Sequence, residues 1–199
     1  MPCEPFKSND GKTTGIICRG RTRPGKCASC DGRSEYECDF PSHKKSGTCD
    51  AKVCARCSLH IAGRWMPLGT EFQTMDSYDF CPTHKPFVFV TGKRLIYVVN
   101  SSQLKEGELI DRTTPLGNPY KLTGDDTPAQ REQVIRKFKA YLWQQMQKPE
   151  SEVSRDLARL REIWLEKNIL TLRCWCTPRA CHGQVIAKAL AWQLTQERS

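Results

Sequence analysis

The pattern of apolar positions divides the chain near residue 85. Before that point, apolar runs are short and Cys, Gly, Ser and Asp are frequent. After it come two apolar runs, at residues 87–90 and 95–99, and then segments in which apolar residues recur at helical spacing. The pattern predicts two units, a small domain over residues 1–85 and a larger one over residues 86–199.

Strands and helices alternate in the predicted second unit. Residues 95–99 are rich in β-branched and aromatic side chains and predict a buried strand, and residues 108–112 predict a shorter one. Hydroxyl side chains that can cap a helix mark two helix starts, and an asparagine marks a stop. The further predicted elements are a helix starting at Thr127, a helix from Ser151 to Asn168, a strand at 169–174 and a helix at about 181–194.

This alternation is typical of an α/β domain with a parallel sheet and right-handed crossovers. We therefore expect a small Rossmann-like parallel-sheet domain over residues 86–199.

Composition and charge narrow the class of protein. The chain of 199 residues is 38% hydrophobic and 27% charged, as in soluble globular proteins, and its apolar runs are too short to span a bilayer. Residues 1–10 are polar and do not resemble a signal peptide, so we expect no membrane association and a cytoplasmic location with reduced thiols. The net charge of +9 favours contact with nucleic acid, and its densest run is Arg19, Arg21, Arg23 and Lys26. Scattered lysines and arginines also simply solvate a surface, so the charge alone does not decide.

Twelve cysteines in a cytoplasmic protein indicate metal binding rather than disulfides. Nine fall within the first 81 residues, mostly in closely spaced pairs, and a Cys-x2-Cys turn directs both thiolates to one point. The interleaved order predicts a cross-brace or treble-clef arrangement, in which the first pair joins the third and the second joins the fourth. The four predicted pairs are Cys27 with Cys30, Cys38 with Cys49, Cys54 with Cys57, and Cys81 with His84.

We expect these eight ligands to hold two zinc ions. Sites filled by cysteine and histidine have no open position, so the zinc would be structural and would stabilise a segment with little apolar core. His43 and His60 are candidate substitute ligands, and Cys18 is unpaired by spacing.

Candidate chemistry in the second unit lies at two predicted strand ends. In a parallel sheet the carboxyl ends of the strands form the ligand crevice. Arg112 and Arg179 are expected to hold phosphate, and Asn118, in a turn with Gly117, to orient a substrate. The pair Cys181 and His182 opens the last helix, where the helix dipole favours a thiolate. We expect that pair to act as nucleophile or as general acid and base.

The same cysteines could bind a third metal. Cys176, Cys181 and His182 offer three donors with no fourth in view, so this alternative is not favoured. Cys174 alternates with Leu170 and Leu172 and is expected in the core.

These motifs resemble an uncharacterised domain family of phages and bacteria. The resemblance rests on Arg-x2-Pro-x-Gly-Asn-Pro at residues 112–119 and on Cys-Trp-Cys-x4-Cys-His-Gly at 174–183, and it extends over about residues 95–194. It implies a Rossmann-like fold, related to domains that process nucleotides or nucleosides, and a phage or prophage origin. Gln184 departs from the family pattern, which implies an acidic residue there.

Three hypotheses of function follow. In the first, the α/β domain is an enzyme that binds or processes a nucleotide, nucleoside or nucleic-acid end. In the second, the protein is not an enzyme, and its zinc module contacts nucleic acid or a host protein. In the third, the zinc module only braces the second domain.

Overall fold

The computed structural model describes residues 3–7, 13–18, 25–61, 77–92 and 94–196, with backbone alone for the first two ranges. The described part of the first half consists of three short antiparallel hairpins, in which β1 pairs with β2, β3 with β4, and β5 with β6. Its strands are β1 (Cys3–Lys7), β2 (Thr13–Cys18), β3 (Tyr36–Glu37), β4 (Lys52–Val53), β5 (Leu59–Ile61) and β6 (Tyr78–Phe80).

The second half is a mixed sheet with helices. The sheet order is β7-β8-β10-β9, in which β8, β10 and β9 are parallel and β7 is antiparallel to β8. The elements are a short 3-10 turn (Lys85–Phe87), then β7 (Val88–Thr91), β8 (Arg94–Asn100), β9 (Glu108–Leu109), α1 (Pro128–Met146), α2 (Glu152–Lys167), β10 (Ile169–Cys174) and α3 (His182–Gln196).

The expected parallel sheet is therefore present with one antiparallel addition. The apolar run at residues 87–90 forms most of β7, which returns directly into β8 past Gly92, a glycine with a φ of +56°. A hairpin this short can join only antiparallel strands, whereas parallel strands need a long crossover. The fold is mixed α/β.

The helix boundaries follow from capping residues, as predicted. The Thr127 hydroxyl accepts a hydrogen bond from the Gln130 amide at the start of α1. The Ser151 hydroxyl accepts one from the Ser154 amide at the start of α2. Asn168 ends α2 in the left-handed conformation, with a φ of 59°, which asparagine tolerates better than most residues. None of the helices in the described ranges is both long and apolar enough to cross a membrane.

One hydrophobic core runs through both halves of the described chain. Phe40 and Phe80 from the first half each lie with their ring centroids 5.9 Å from that of Tyr97 on β8. Gln184 of α3 also donates to the carbonyl of Pro86. The division at residues 85 and 86 stays a prediction, but buried aromatic contacts cross it.

We predict that Trp164→Ala destabilises the protein by about 3–5 kcal/mol, the usual cost of truncating a buried tryptophan. Trp164 is fully buried on α2, and its indole N–H donates to the Leu95 carbonyl at 2.9 Å. The matched control is Trp143→Ala, because Trp143 is 50% exposed. This substitution removes mainly an edge contact with Trp192, which contributes at most about 1.5 kcal/mol. Urea unfolding at fixed zinc concentration measures the free energy of unfolding of both variants. Equal decreases in the two variants would contradict the packing described.

Candidate functional site

Two groups of metal-type ligands lie in the first half. One, the four-cysteine cluster, consists of Cys27, Cys30, Cys54 and Cys57. The second, the His84 cluster, consists of Cys38, Cys49, Cys81 and His84. In each group the ligand atoms all lie within 4.8 Å of one another. The grouping is the interleaved one that the cysteine spacing predicts.

Tight turns create the four-cysteine cluster. The amides of Cys57 and Ser58 both donate to the Cys54 carbonyl at 3.0 Å, so the chain curls and aims two thiols at one point. The sulfurs of Cys30 and Cys54 are 3.6 Å apart. In a tetrahedral zinc site, with zinc–sulfur bonds of about 2.3 Å, neighbouring sulfurs lie about 3.8 Å apart. The cluster therefore already has the dimensions of a zinc site.

The His84 cluster has the same dimensions. Nδ1 of His84 lies 3.5 Å from the sulfur of Cys38 and 3.3 Å from that of Cys81. The imidazole stacks on Phe40, with ring centroids 4.2 Å apart, so packing fixes its orientation. A hydrogen bond from the Cys38 thiol and the neighbouring imidazole lower the pKa of Cys81 to about 3. These neighbours favour the thiolate at Cys81, which is the form of cysteine that binds metals.

A third group of ligands lies in the second half. This His182 cluster contains Cys174, Cys176, Cys181 and His182, again with all ligand atoms within 4.8 Å. The sequence prediction missed its fourth donor. Cys174 is buried, as its alternation with leucines predicts, but it is the last residue of β10, and its thiol faces the loop that leads to α3. Because Cys174 is the last residue of its strand, it follows the alternating pattern of the core and can also belong to a ligand cluster.

A cleft of about 270 Å³ lies over the His182 cluster. It opens at the carboxyl ends of β9 and β10, and the first turns of α1 cover one side. Its side chains include two guanidinium groups, two aromatic rings, one carboxamide and one imidazole. The lining residues that matter here are Arg112, Asn118, Tyr120, Arg131, Trp175 and His182.

The Gly-Asn-Pro loop forms one wall of the cleft. Arg112 Nε donates to the Asn118 carbonyl and Nη2 to the Tyr120 carbonyl, while the Asn118 side chain accepts from the Tyr120 amide. Gly117 lies so close to Asp111 that a Cβ there would overlap the Asp111 carbonyl oxygen. These residues give the loop a single shape.

The loop between β10 and α3 forms the opposite wall. Trp175 is 62% exposed, and its indole N–H donates to the carboxylate of Asp111 at 3.0 Å, which joins the two walls. Arg131 of α1 donates to the Ala180 carbonyl and pairs with Asp126. Arg179 pairs with the same carboxylate and does not line the cleft.

Residues 99–192 match the family model described as Domain of unknown function (DUF4326). This segment covers just under half of the chain and includes both the Gly-Asn-Pro and the Cys-His-Gly motifs. No curated protein and no solved structure matches the chain. The family match describes no activity, so the geometry alone must indicate the function.

The structure brings most of the predicted residues of the second half to this cleft. Arg112, Asn118 and His182 line it, Gly117 shapes its loop, and Cys181 lies beneath it in the His182 cluster. Whether any of these residues binds a ligand or takes part in catalysis stays a prediction.

The candidate substitute zinc ligands lie elsewhere. His60 pairs with Asp79 at 2.8 Å, and His43 is exposed; neither belongs to a ligand cluster among the described residues. The side chain of Cys18 lies outside the described residues, as do Arg19, Arg21 and Arg23.

Sequence reasoning also missed residues that shape the cleft. Asn100, at the end of β8, donates to the carbonyls of Trp175 and Thr177 and so holds the second wall. Its position directly after a predicted strand could have identified it as a residue of the ligand crevice. Arg131 gave no such signal, because an arginine in the first turn of a helix is usually solvated.

Gln184 links the start of α3 to the first half of the chain. Its side-chain carbonyl accepts from the Cys181 amide at 2.9 Å, and its amide group donates to the Pro86 carbonyl. A carboxylate could make the first contact, as in a capping box, but not the second. Glutamine thus keeps the helix cap and adds a link to the first half.

We predict that Cys54→Ser lowers the zinc content by one and removes amide-exchange protection over residues 26–58. The reason is that structural zinc supplies about 10–16 kcal/mol in small metal-stabilised folds, and this segment has few apolar side chains to replace it. Hydrogen-exchange and native mass spectrometry measure the two effects. Ser58→Ala, in the same turn, is the control and should change neither; unchanged zinc content in Cys54→Ser would refute the assignment.

Proposed function

We propose that this is a zinc-binding protein whose α/β half binds a nucleotide or nucleoside in the cleft. The observation that carries the proposal is the lining, which combines an exposed indole and a phenol with two guanidinium groups. Aromatic rings stack on nucleobases, and guanidinium groups pair with phosphate. The cleft volume of about 270 Å³ suits one small ligand rather than a strand of nucleic acid.

The position of the cleft supports the same proposal. Ligands of open α/β sheets bind beyond the carboxyl ends of the strands, and this cleft lies beyond β9 and β10. We propose that the α/β half is Rossmann-like in this sense. The parallel strands β8, β10 and β9 and the flanking helices support that interpretation.

Ligand recognition would divide between the two walls. Trp175 presents the most exposed ring of the cleft and would stack on a base, and Tyr120 lies on the opposite wall. Arg131 pairs with Asp126, which fixes the guanidinium group and offsets its charge. Arg131 would therefore contribute oriented hydrogen bonds to a bound phosphate rather than the attraction of an unpaired charge. The side-chain oxygen of Asn118 already accepts a hydrogen bond from the Tyr120 amide. Its side-chain NH2 group would therefore be the donor to a base or sugar.

Processing of the ligand stays a prediction. Cys181 is fully buried and His182 is 4% exposed, and His182 alone of the two lines the cleft. A buried thiol is poorly placed to attack a ligand, so the geometry favours binding over covalent catalysis by Cys181. The expected phage origin and cytoplasmic location likewise stay predictions.

Contact of the first half with nucleic acid or a host protein is the alternative function. Of the basic run that suggested it, Lys26 is exposed, and the three arginines lie outside the described residues. The described residues therefore do not favour this alternative over the cleft.

We predict that ribonucleoside monophosphates, or the matching nucleosides, quench the tryptophan fluorescence of the full chain saturably. Trp175→Leu should weaken binding about tenfold or more, because stacking on one aromatic ring contributes about 1–3 kcal/mol. Isothermal titration calorimetry gives the affinities independently of the fluorophore.

The matched control is Trp192→Leu, which removes another exposed tryptophan that does not line the cleft. This variant should bind as the wild type does. The proposal fails if no probe binds at millimolar concentration, or if the two substitutions weaken binding equally. Tighter binding of monophosphates than of nucleosides would assign the guanidinium groups to phosphate.

A further inference from the structure

We propose that Cys174, Cys176, Cys181 and His182 bind a third zinc ion, which lies beneath the cleft and fixes the loop that forms its second wall. This inference does not depend on what the cleft binds. It rests on the arrangement of the donors, the hydrogen bonds around them, and the elements that they join.

The donor distances fit a tetrahedral zinc site. The sulfurs of Cys174 and Cys176 are 3.4 Å apart, and Nδ1 of His182 lies 3.6 Å from the sulfur of Cys174 and 3.9 Å from that of Cys181. Zinc bonds of about 2.3 Å to sulfur and about 2.0 Å to nitrogen place neighbouring donors about 3.5–3.8 Å apart. The sulfurs of Cys174 and Cys176 are also too far apart for a disulfide bond, which has a sulfur–sulfur distance of about 2.05 Å.

The orientation of His182 is that of a metal ligand. Its Nε2 lies 2.7 Å from the Ile110 carbonyl oxygen. A carbonyl can only accept, so Nε2 carries the proton, and Nδ1 is the ring atom that faces the sulfurs of Cys174 and Cys181. Metal-bound histidines characteristically donate their second N–H to a carbonyl or carboxylate, which fixes the tautomer and the ring.

The sulfur environment repeats that of the His84 cluster in the first half. The Gly183 amide donates to the sulfur of Cys181 at 3.3 Å, as the Cys81 amide does to the sulfur of Cys38. Gly183 can occupy this position only because it has no side chain: a Cβ would lie 2.7 Å from Val98 and 2.9 Å from Ile110. The glycine of the Cys-His-Gly motif thus brings its amide to a sulfur.

The donor set selects zinc and a structural role. Three thiolates and an imidazole form a common closed zinc site, which leaves no position for water or substrate. Soft sulfur donors disfavour magnesium and calcium, which prefer oxygen. Cys176 is half-buried, whereas the other three ligands are buried. It lines the cleft together with Cys174 and His182.

The ion would tie the end of β10 to the start of α3 across the loop between them. Cys174 ends β10, Cys176 belongs to the second wall, and His182 begins α3. Through Ile110, His182 also holds the residue that follows β9 and leads into the first wall. The two walls are linked to each other by this bond and by the one between Trp175 and Asp111.

The decisive experiment counts zinc in the full chain, purified under reducing conditions with zinc present, by native mass spectrometry. The proposal requires three zinc ions in the wild type and two in Cys176→Ser. Trp175→Leu, in the same loop but without a ligand atom, is the control and should keep three. Two ions in the wild type after titration with excess zinc, three in Cys176→Ser, or a mass lowered by a disulfide would overturn the proposal.

A second measurement uses only the wild type and so does not depend on the folding of a variant. Alkylation of Cys176 should be slow in the zinc-loaded protein and at least about tenfold faster after a chelator removes the metal. Cys176 is informative because it is only half-buried, so burial alone does not protect it. Equal alkylation rates with and without chelator would overturn the proposal.

Discussion

The close approach of sulfur donors is the constraint on which this structure depends. In each of three clusters, four ligand atoms lie within 4.8 Å of one another. Thiolates at such distances repel one another, whereas a thiol can donate a hydrogen bond to a neighbouring thiolate. The effect is visible in the His182 cluster, where hydrogen bonds from Cys174 and Cys181 hold the pKa of Cys176 far below its ordinary value. Cys174 and Cys176 in turn raise the pKa of Cys181. A divalent cation removes this conflict.

The clusters have different surroundings and therefore different consequences. The first two lie among short strands with a small apolar content, so we expect them to decide whether that segment folds. The third lies at the edge of a sheet whose core is already filled by residues such as Trp164 and Phe138. There we expect the cluster to set the geometry of the loop between β10 and α3, which forms one wall of the cleft, rather than the fold. If the proposed metal ions are bound, the same type of site would support the fold in the first half and shape the cleft in the second.

Much of the fold was predictable because the responsible signals are local. The helix caps at Thr127 and Ser151, the stop at Asn168 and the strand at 169–174 all follow from short patterns, as does the grouping of the first eight ligands. The fourth ligand of the His182 cluster was not predictable in this way. The position of Cys174 in an alternating strand predicts burial, and only the three-dimensional course of the following loop shows which buried group its thiol meets. The role of Arg112 was similarly hidden, because its partners are backbone carbonyls.

The most direct test of this account is X-ray absorption spectroscopy at the zinc edge on the full chain. The three clusters together contain ten sulfurs and two imidazole nitrogens, so the account predicts about three to four sulfurs per zinc at about 2.3 Å. The remaining donors should be nitrogen at about 2.0 Å, with the outer scattering of an imidazole ring. A mean of fewer than three sulfurs per zinc, or a shell dominated by oxygen, would contradict the account.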